Sequence, residues 1–489
     1  MKYSIIAFFF FTSCLGWAQS DQEKVLKTVQ QSTLKKHIYT LADDSLKGRK
    51  TGTPENKTAA SYLANTLASY GVQPNPLTGT YYQGVPLEIV QPNAHFFLSF
   101  NEKEHKNKAL LKPRNLNVSE QAVFAGYGLE EDYQKTNVTK KIVIVRGGQP
   151  EGTGIREAFG LRQKKWELAK EAGAIALIEL IETNNTGWGY VNRRFNTEKI
   201  QIADPDAAKN TVAHIWIQDE YGALAAEFKE EAPIVQTKLG VPKGTPVPTQ
   251  NVVGILPGTD PVLKNEYVVF TAHYDHVGIG KPDKEGDSIY NGARDNAVGV
   301  TTVLSMAENL AKYPTKRSAV FLLLTAEEEG LLGSTYFVDH PVIPLEEIVY
   351  CINSDNGGYN DTSIATIVGL NRTTASGLFV EASEAFGLMA AEDPVPEQGL
   401  FDRSDNVNFA KKGIPAPTFS MGFTAFDESL LKYYHQPADE ADDLDYAYLE
   451  KFFKAYVLAG RLILNTESSP FWISGDPYEE AGKKLYENK

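Results

Sequence analysis

In Thr271-Ala-His-Tyr-Asp275 a histidine and a carboxylate stand two residues apart, directly after the apolar run Tyr267 to Phe270. The run reads as a buried strand, and a strand keeps residues two apart on one face, so the ends of His273 and Asp275 can meet. That pairing suits a histidine that binds metal through one ring nitrogen while a carboxylate holds the other. Two further apolar runs, Ala319 to Thr325 and Glu347 to Asn353, are also followed at once by acids: Glu327-Glu328-Glu329 after the first and Asp355 after the second. Loops add Asp295, in Gly292-Ala-Arg-Asp-Asn-Ala-Val-Gly299, and His435, in Tyr434-His-Gln-Pro-Ala-Asp439. Asp295 stands where a helix begins and taken alone would be a capping residue. Two histidines with three carboxylates form a mixed nitrogen and oxygen shell that suits zinc, whereas calcium or magnesium favours oxygen alone. A single catalytic zinc needs only three protein ligands. With five available, one carboxylate can bridge and give each of two metals three.

The elements that must position these groups are strands and helices in alternation from Asn251 onward, the pattern of a layered α/β sheet. In such sheets the carboxyl ends of the strands line the ligand crevice, so three strands deliver acids to one edge. Between them, Asn296 to Lys312 reads as a helix with Val300, Val303, Leu304, Ala307, Leu310 and Ala311 on one face, ended by Pro314. Asp443 to Asn465 is another amphipathic helix, and the stretch after Asp476 reads as a solvated terminus. Near the amino end, Ala59, Tyr62, Leu63, Thr66, Leu67 and Tyr70 recur at helical spacing within Thr53 to Tyr70. The preceding loop, Leu46 to Pro54, has the Gly and Pro punctuation of an ordered turn.

The chain of 489 residues suggests two or three units rather than one core. A net charge of -14 excludes the basic surface that a nucleic-acid partner needs and mildly disfavours acidic substrates. Lys2, the apolar run Ile5 to Phe11 and the small residues up to Ala18 read as a secretory signal cleaved after Ala18. The run is too short to span and hold in a bilayer, so no stable membrane insertion is expected. A competing reading, Phe11-Thr12-Ser13-Cys14 as a lipoprotein cleavage site, would leave Cys14 acylated. After cleavage at Ala18 the remaining Cys351 has no intrachain disulfide partner and lies inside a strand as a core thiol.

From Pro92 to Val247 the character changes to short strands and polar turns, without a cluster of histidines and carboxylates. There Lys141 to Arg146 is a strand, Glu157 to Ala172 a helix, and Ala174 to Ile181 a second apolar run. This arrangement resembles the protease-associated (PA) domain, here inserted into a larger chain.

His273-Tyr-Asp275, Gly292-Ala-Arg-Asp295-Asn-Ala-Val-Gly, Thr325-Ala-Glu-Glu-Glu-Gly-Leu-Leu-Gly-Ser334, Asn353-Ser-Asp355 and Tyr434-His435 resemble, in order and spacing, the motif set of the M28 zinc peptidases. The resemblance implies an α/β fold of the zinc-dependent exopeptidase kind: a mixed, mostly parallel sheet with helices on both faces, plus the smaller β-rich PA-like insert. It implies two zinc ions bridged by Asp295, with His273 and Asp355 completing one and Glu328 and His435 the other. Glu327 would be the general base, Asp275 would orient His273, and Glu329 would be a spectator. Tyr434 could donate to the oxyanion.

Signal peptide 1–18, peptidase segments 19–91 and 248–475, PA-like insert 92–247 and tail 476–489 make up the expected organisation. The function it implies is an exported metallopeptidase, periplasmic or extracellular, that acts on peptides, with aminopeptidase as the first reading. A carboxypeptidase or dipeptidase of the same family keeps the metal set but needs a cation for the substrate carboxylate, for which Arg403 stands available. A glutaminyl-cyclase-like acyltransferase uses one zinc, and a non-catalytic binding protein would have lost a ligand or base; neither departure is seen. No HExxH, G-x-S-x-G, P-loop or G-x-G-x-x-G occurs.

Overall fold

The computed structural model describes residues 20–92, 96–204, 206 and 211–487. The expected signal peptide and Cys14 lie outside them. The chain divides into two compact units, one formed by residues 1–85 and 249–489 and the other by 86–248.

In the first unit the sheet runs in the order Thr245–Leu256, Ser318–Leu324, Tyr267–His273, Ile348–Asn353, Thr418–Met421, Ile364–Val368 and Met389–Ala391. Ser318–Leu324, Tyr267–His273, Ile348–Asn353 and Thr418–Met421 are parallel to one another. Thr245–Leu256 pairs antiparallel at one side, as Ile364–Val368 does beside Thr418–Met421. The expected mixed, mostly parallel sheet is therefore observed. The central strands are mostly apolar and buried at nearly every position because both faces are covered. Val268, Phe270, Phe321, Leu323 and Ile352 pack in one core. Val269, Val320, Leu322, Leu324 and Cys351 pack in another, with Phe337 and Phe409 from helices Leu332–Asp339 and Asn406–Lys411.

On the first face lie helices Gln31–Leu41, Pro54–Ser69, Gly299–Lys312 and Tyr446–Asn465. Pro54–Ser69 begins as its sequence dictates: Thr53 Oγ1 accepts from the Asn56 N–H, and proline occupies the first turn. Helix Asp21–Thr28 is fixed by Asp21, which accepts from both Arg461 Nη2 (2.7 Å) and Asn465 Nδ2 (3.0 Å).

Two expectations are corrected. The helix read from Asn296 begins at Gly299, after an irregular wide turn over Ala293–Val298; Val298 is its N-cap residue, and within the turn Asn296 Oδ1 accepts from the Gly299 N–H at 3.1 Å. Asp295 is thereby free of a capping role. The stretch after Asp476 is not merely solvated: Glu479–Leu485 is a helix, Gly482 is buried, and the Tyr486 hydroxyl donates to the Ile348 carbonyl.

The second unit holds a sheet in the order Lys108–Lys112, Ala213–Asp219, Ala176–Glu182, Ile142–Arg146, Val123–Phe124. A second sheet runs Lys103–Glu104, Phe97–Phe100, Ile234–Leu239, Leu116–Gln121. Ile142–Arg146, helix Ile155–Glu171 and Ala176–Glu182 form a right-sized βαβ unit with its strands parallel. Inside it, Lys165, Glu179 and His214 are buried together: Glu179 accepts from Lys165 Nζ at 3.0 Å, from Trp216 Nε1 at 2.9 Å, and lies 2.7 Å from His214 Nε2.

Candidate metal centre

Register explains why the chemistry collects at one edge. His273 is the last residue of its strand and pairs with Leu324 on one side, while Thr271 pairs with Asn353 on the other. The residues that follow these three strands therefore emerge side by side: Asp275 and His276, Glu327 and Glu328, and Asp355. The Glu327-Glu328 turn is held by Asp275, whose carboxylate accepts from the Glu327 N–H (3.1 Å) and the Glu328 N–H (3.4 Å), as well as from Thr51 Oγ1 (2.9 Å). Asp439, four residues beyond His435, accepts from the backbone N–H groups of Arg294 (2.9 Å) and Asp295 (3.1 Å). It thus joins the loop that carries His435 to the loop that carries Asp295. Asp355 accepts from Ser404 Oγ, which in turn accepts from Asn353 Nδ2 at 2.8 Å.

The side chains converge on two donor groups that share one residue. His273 Nε2 lies 3.3 Å from Asp295 Oδ1 and 3.3 Å from Asp355 Oδ1. His435 Nε2 lies 3.1 Å from Asp295 Oδ2 and 3.2 Å from Glu328 Oε2. Each oxygen of Asp295 thus faces a different group, and the ligand atoms of each group lie within 4.8 Å of one another. His273, Asp295, Glu328, Asp355 and His435, the five residues expected from the sequence as ligands, are all brought together; Glu327, Tyr434 and Arg403 line the same cavity of about 140 Å³. Its remaining wall is largely apolar, with Val368, Leu400, Phe423, Phe426 and Leu430.

The sequence reading missed His276. It is buried, its Nδ1 is 2.8 Å from Glu328 Oε1, and its ring meets that of His435 edge-on. The ionised carboxylate only accepts, so the proton sits on Nδ1. The available signal was a second histidine directly after His273-Tyr-Asp275. Asp275 also differs from expectation. Nδ1 of His273 reaches the backbone carbonyl of Asp275 at 3.1 Å, whereas the nearest carboxylate oxygen is 4.0 Å away. The strand ends at His273, so the rule that places alternate residues on one face no longer applies to Asp275.

Burial and mutual repulsion dominate the electrostatics. Burial pushes the Glu327 carboxyl well above its ordinary range; His273 opposes this, and Asp355, Asp405 and Glu328 add to it. Burial works against a charge on His273, yet Glu327, Asp355 and the contacts with Asp295 outweigh it and raise the imidazole well above 6.5. Burial likewise opposes charge on His435, but its bonds to Asp295 and Glu328 push it up to about 10. For Glu328 burial raises the pKa, and the bonds to His276 and His435 prevail against it and the repulsion of Asp295, bringing it down to about 2. A desolvated cluster of carboxylates with imidazole nitrogens in two convergent sets fits divalent cations of the zinc kind, which accept mixed nitrogen and oxygen ligands.

The chain is similar in fold to the aminopeptidase from Aneurinibacillus sp. strain AM-1, with a TM-score of 0.55 and 20% identity over 92% of this chain and 97% of that one. Residues 251–459 match the model of Peptidase family M28, a stretch that contains every residue of the two donor groups. Aminopeptidase YwaD of Bacillus subtilis (strain 168) is 27% identical over 333 residues, 65% of this chain and 61% of that protein. Leucine aminopeptidase 2 of Trichophyton equinum is 25% identical over 381 residues, 76% of this chain and 68% of that protein. The chain thus spans about three-fifths of the length of the Bacillus relative.

Proposed function

We propose that this protein is an exported dizinc metallopeptidase that removes residues from the amino termini of peptides. The observation that carries the reading is Asp295, whose two oxygens face separate donor groups at 3.3 Å and 3.1 Å. In this reading Asp295, shared by both groups, would hold one zinc ion together with His273 and Asp355 and the other together with Glu328 and His435. His276 orients Glu328, and Asp275 holds the Glu327-Glu328 turn. The ions, when bound, supply Lewis acidity for water and for the scissile carbonyl.

Glu327 is the general base: it takes the proton of the attacking water and returns it to the leaving amine. Its buried position beside other acids makes it a good proton carrier. The Tyr434 hydroxyl, lining the same cavity, donates to the oxygen on which negative charge develops. The apolar wall receives the side chain of the residue to be released. The carboxylates of this cavity are the ones that would be neutralised by the metal ions, so the aminopeptidase reading is supported by the similarity to Aminopeptidase YwaD, whereas a carboxypeptidase would rely on Arg403 in the same cavity. The 86–248 unit is read as a PA-like insert of this enzyme.

Metal analysis after dialysis against zinc tests the centre. Two equivalents per chain are expected for the wild type and at most one for Asp295→Ala, with folding checked by circular dichroism. One equivalent in the wild type, unchanged by Asp295→Ala, would contradict a bridged pair.

A further inference from the structure

Arg49 lies 1% exposed beneath the metal centre, in a turn of the amino-terminal segment with φ +50°. Among the described residues its guanidinium makes no hydrogen bond to a carboxylate. It donates instead to four main-chain carbonyls: Nε to Tyr274 (2.9 Å), Nη1 to Leu41 and to Asn291 (2.6 Å), and Nη2 to Gly292 (3.0 Å). Tyr274 lies between His273 and Asp275, and Asn291-Gly292 leads into Asp295. Two neighbours reinforce the contact. A Cβ on Gly48 would fall 2.4 Å from the Tyr290 carbonyl oxygen, so the turn presses closely on the same loop, and Thr51 Oγ1 holds Asp275 at 2.9 Å.

A fully buried cation without a bonded counter-charge is costly unless its donors are met and its field is useful. Here the donors are met, and the carboxylates of Asp295, Asp439, Asp275 and Glu328 attract it from a longer range. The planar fork of donors matches carbonyls arriving from several directions, which a lysine cannot do.

We propose that Arg49 is a positioning residue of the metal centre: by tying the Tyr274 and Asn291-Gly292 carbonyls to the amino-terminal segment, it sets the spacing between His273 and the bridging Asp295. Zinc affinity is then a property of the docked amino-terminal segment as well as of the ligands. The inference rests on the dizinc reading of the cluster.

Arg49→Gly and Arg49→Lys in the full chain test it, glycine being chosen because it tolerates the positive φ. Zinc retention against a chelator, kcat and KM of the reloaded enzyme, and the Tm of the metal-free protein are the readouts. Both variants are expected to release zinc about 10- to 100-fold more readily, and after reloading to lose kcat with KM little changed. Guanidinium ion, well below denaturing concentration, is expected to restore zinc retention to Arg49→Gly and not to Arg49→Lys. Wild-type retention in a folded Arg49→Gly, or full retention in Arg49→Lys, would overturn the proposal; if the glycine variant fails to fold, the lysine variant decides. A wild-type protein that binds no zinc would instead overturn the functional reading, so the two failures are distinguishable.

Discussion

His276 and Glu327 sit about the same cluster and predict opposite separations of binding from chemistry. His276 acts on a ligand, through Nδ1 and Glu328 Oε1 at 2.8 Å, so His276→Ala is expected to weaken zinc retention about 10- to 100-fold, measured by chelator competition. In the proposed function Glu327 is a proton carrier rather than a ligand, so on that reading Glu327→Gln is expected to keep its zinc and lose about 100- to 10,000-fold in kcat. Retained activity in Glu327→Gln would move the base to another residue. Residue types after the strands and in two loops drew attention to His273, Asp295, the Glu327-Glu328-Glu329 run, Asp355 and His435, because metal chemistry demands those side chains, and the resemblance to the M28 peptidases supplied Glu328 as the ligand within the run. The partners that orient them were not legible. Asp275 bonds main-chain N–H groups rather than the ring of His273, and Thr51, Ser404 and Asp439 carry no chemical signature of their own. Their roles follow from tertiary proximity.

At the scale of elements, the strands and long helices were readable because apolar runs and helical spacing report burial directly. Boundaries were not, where a loop does something other than cap: the Ala293–Val298 turn delays the helix start to Gly299 so that Asp295 can face the cluster.

Buried polar groups within single elements give two predictions. In helix Gln31–Leu41, His37 lies between the hydroxyls of Tyr62 (2.6 Å) and Tyr70 (3.0 Å), which satisfies a neutral ring with one donor and one acceptor. Burial, helped by Lys36, lowers its pKa to about 4. A folded-state pKa below the unfolded value of 6.5 means that this stabilisation is fully present above pH 6.5 and lost as the pH falls through about 4. The loss, on the order of 3 kcal/mol, is expected to shrink in His37→Gln, measured as the change in Tm between neutral and mildly acid buffer.

In the β-rich unit, burial pushes Glu179 up, but Lys165 and the bonds to His214 and Trp216 prevail and hold it below 4.5. Its contribution is therefore present above about pH 4.5 and lost as the pH falls further. Glu179→Gln strands the Lys165 charge and is expected to destabilise this unit by about 3 to 5 kcal/mol. Hydrogen exchange confined to residues of the 86–248 unit is the check; unchanged protection there would contradict it.

On the scale of the molecule, each unit has its own hydrophobic core, and among the described residues the metal-capable groups belong to the first. Ligands that bind only the folded state raise its stability. Chelation is therefore expected to lower the melting of the unit formed by residues 1–85 and 249–489 and to leave hydrogen exchange in the core of the 86–248 unit unchanged, read by calorimetry and by exchange. A net charge of -14 over the whole chain agrees with substrates that carry a free ammonium group.

That preference is the central claim, and one peptide in three forms tests it: free, N-acetylated and C-amidated, each offered to zinc-loaded enzyme with Glu327→Gln as control. The account predicts cleavage of the free and the amidated peptide from the amino end, none of the acetylated one, and loss of cleavage in the variant. Cleavage that tolerates the acetyl group and requires the free carboxylate would contradict it and assign Arg403 the substrate-binding role of a carboxypeptidase.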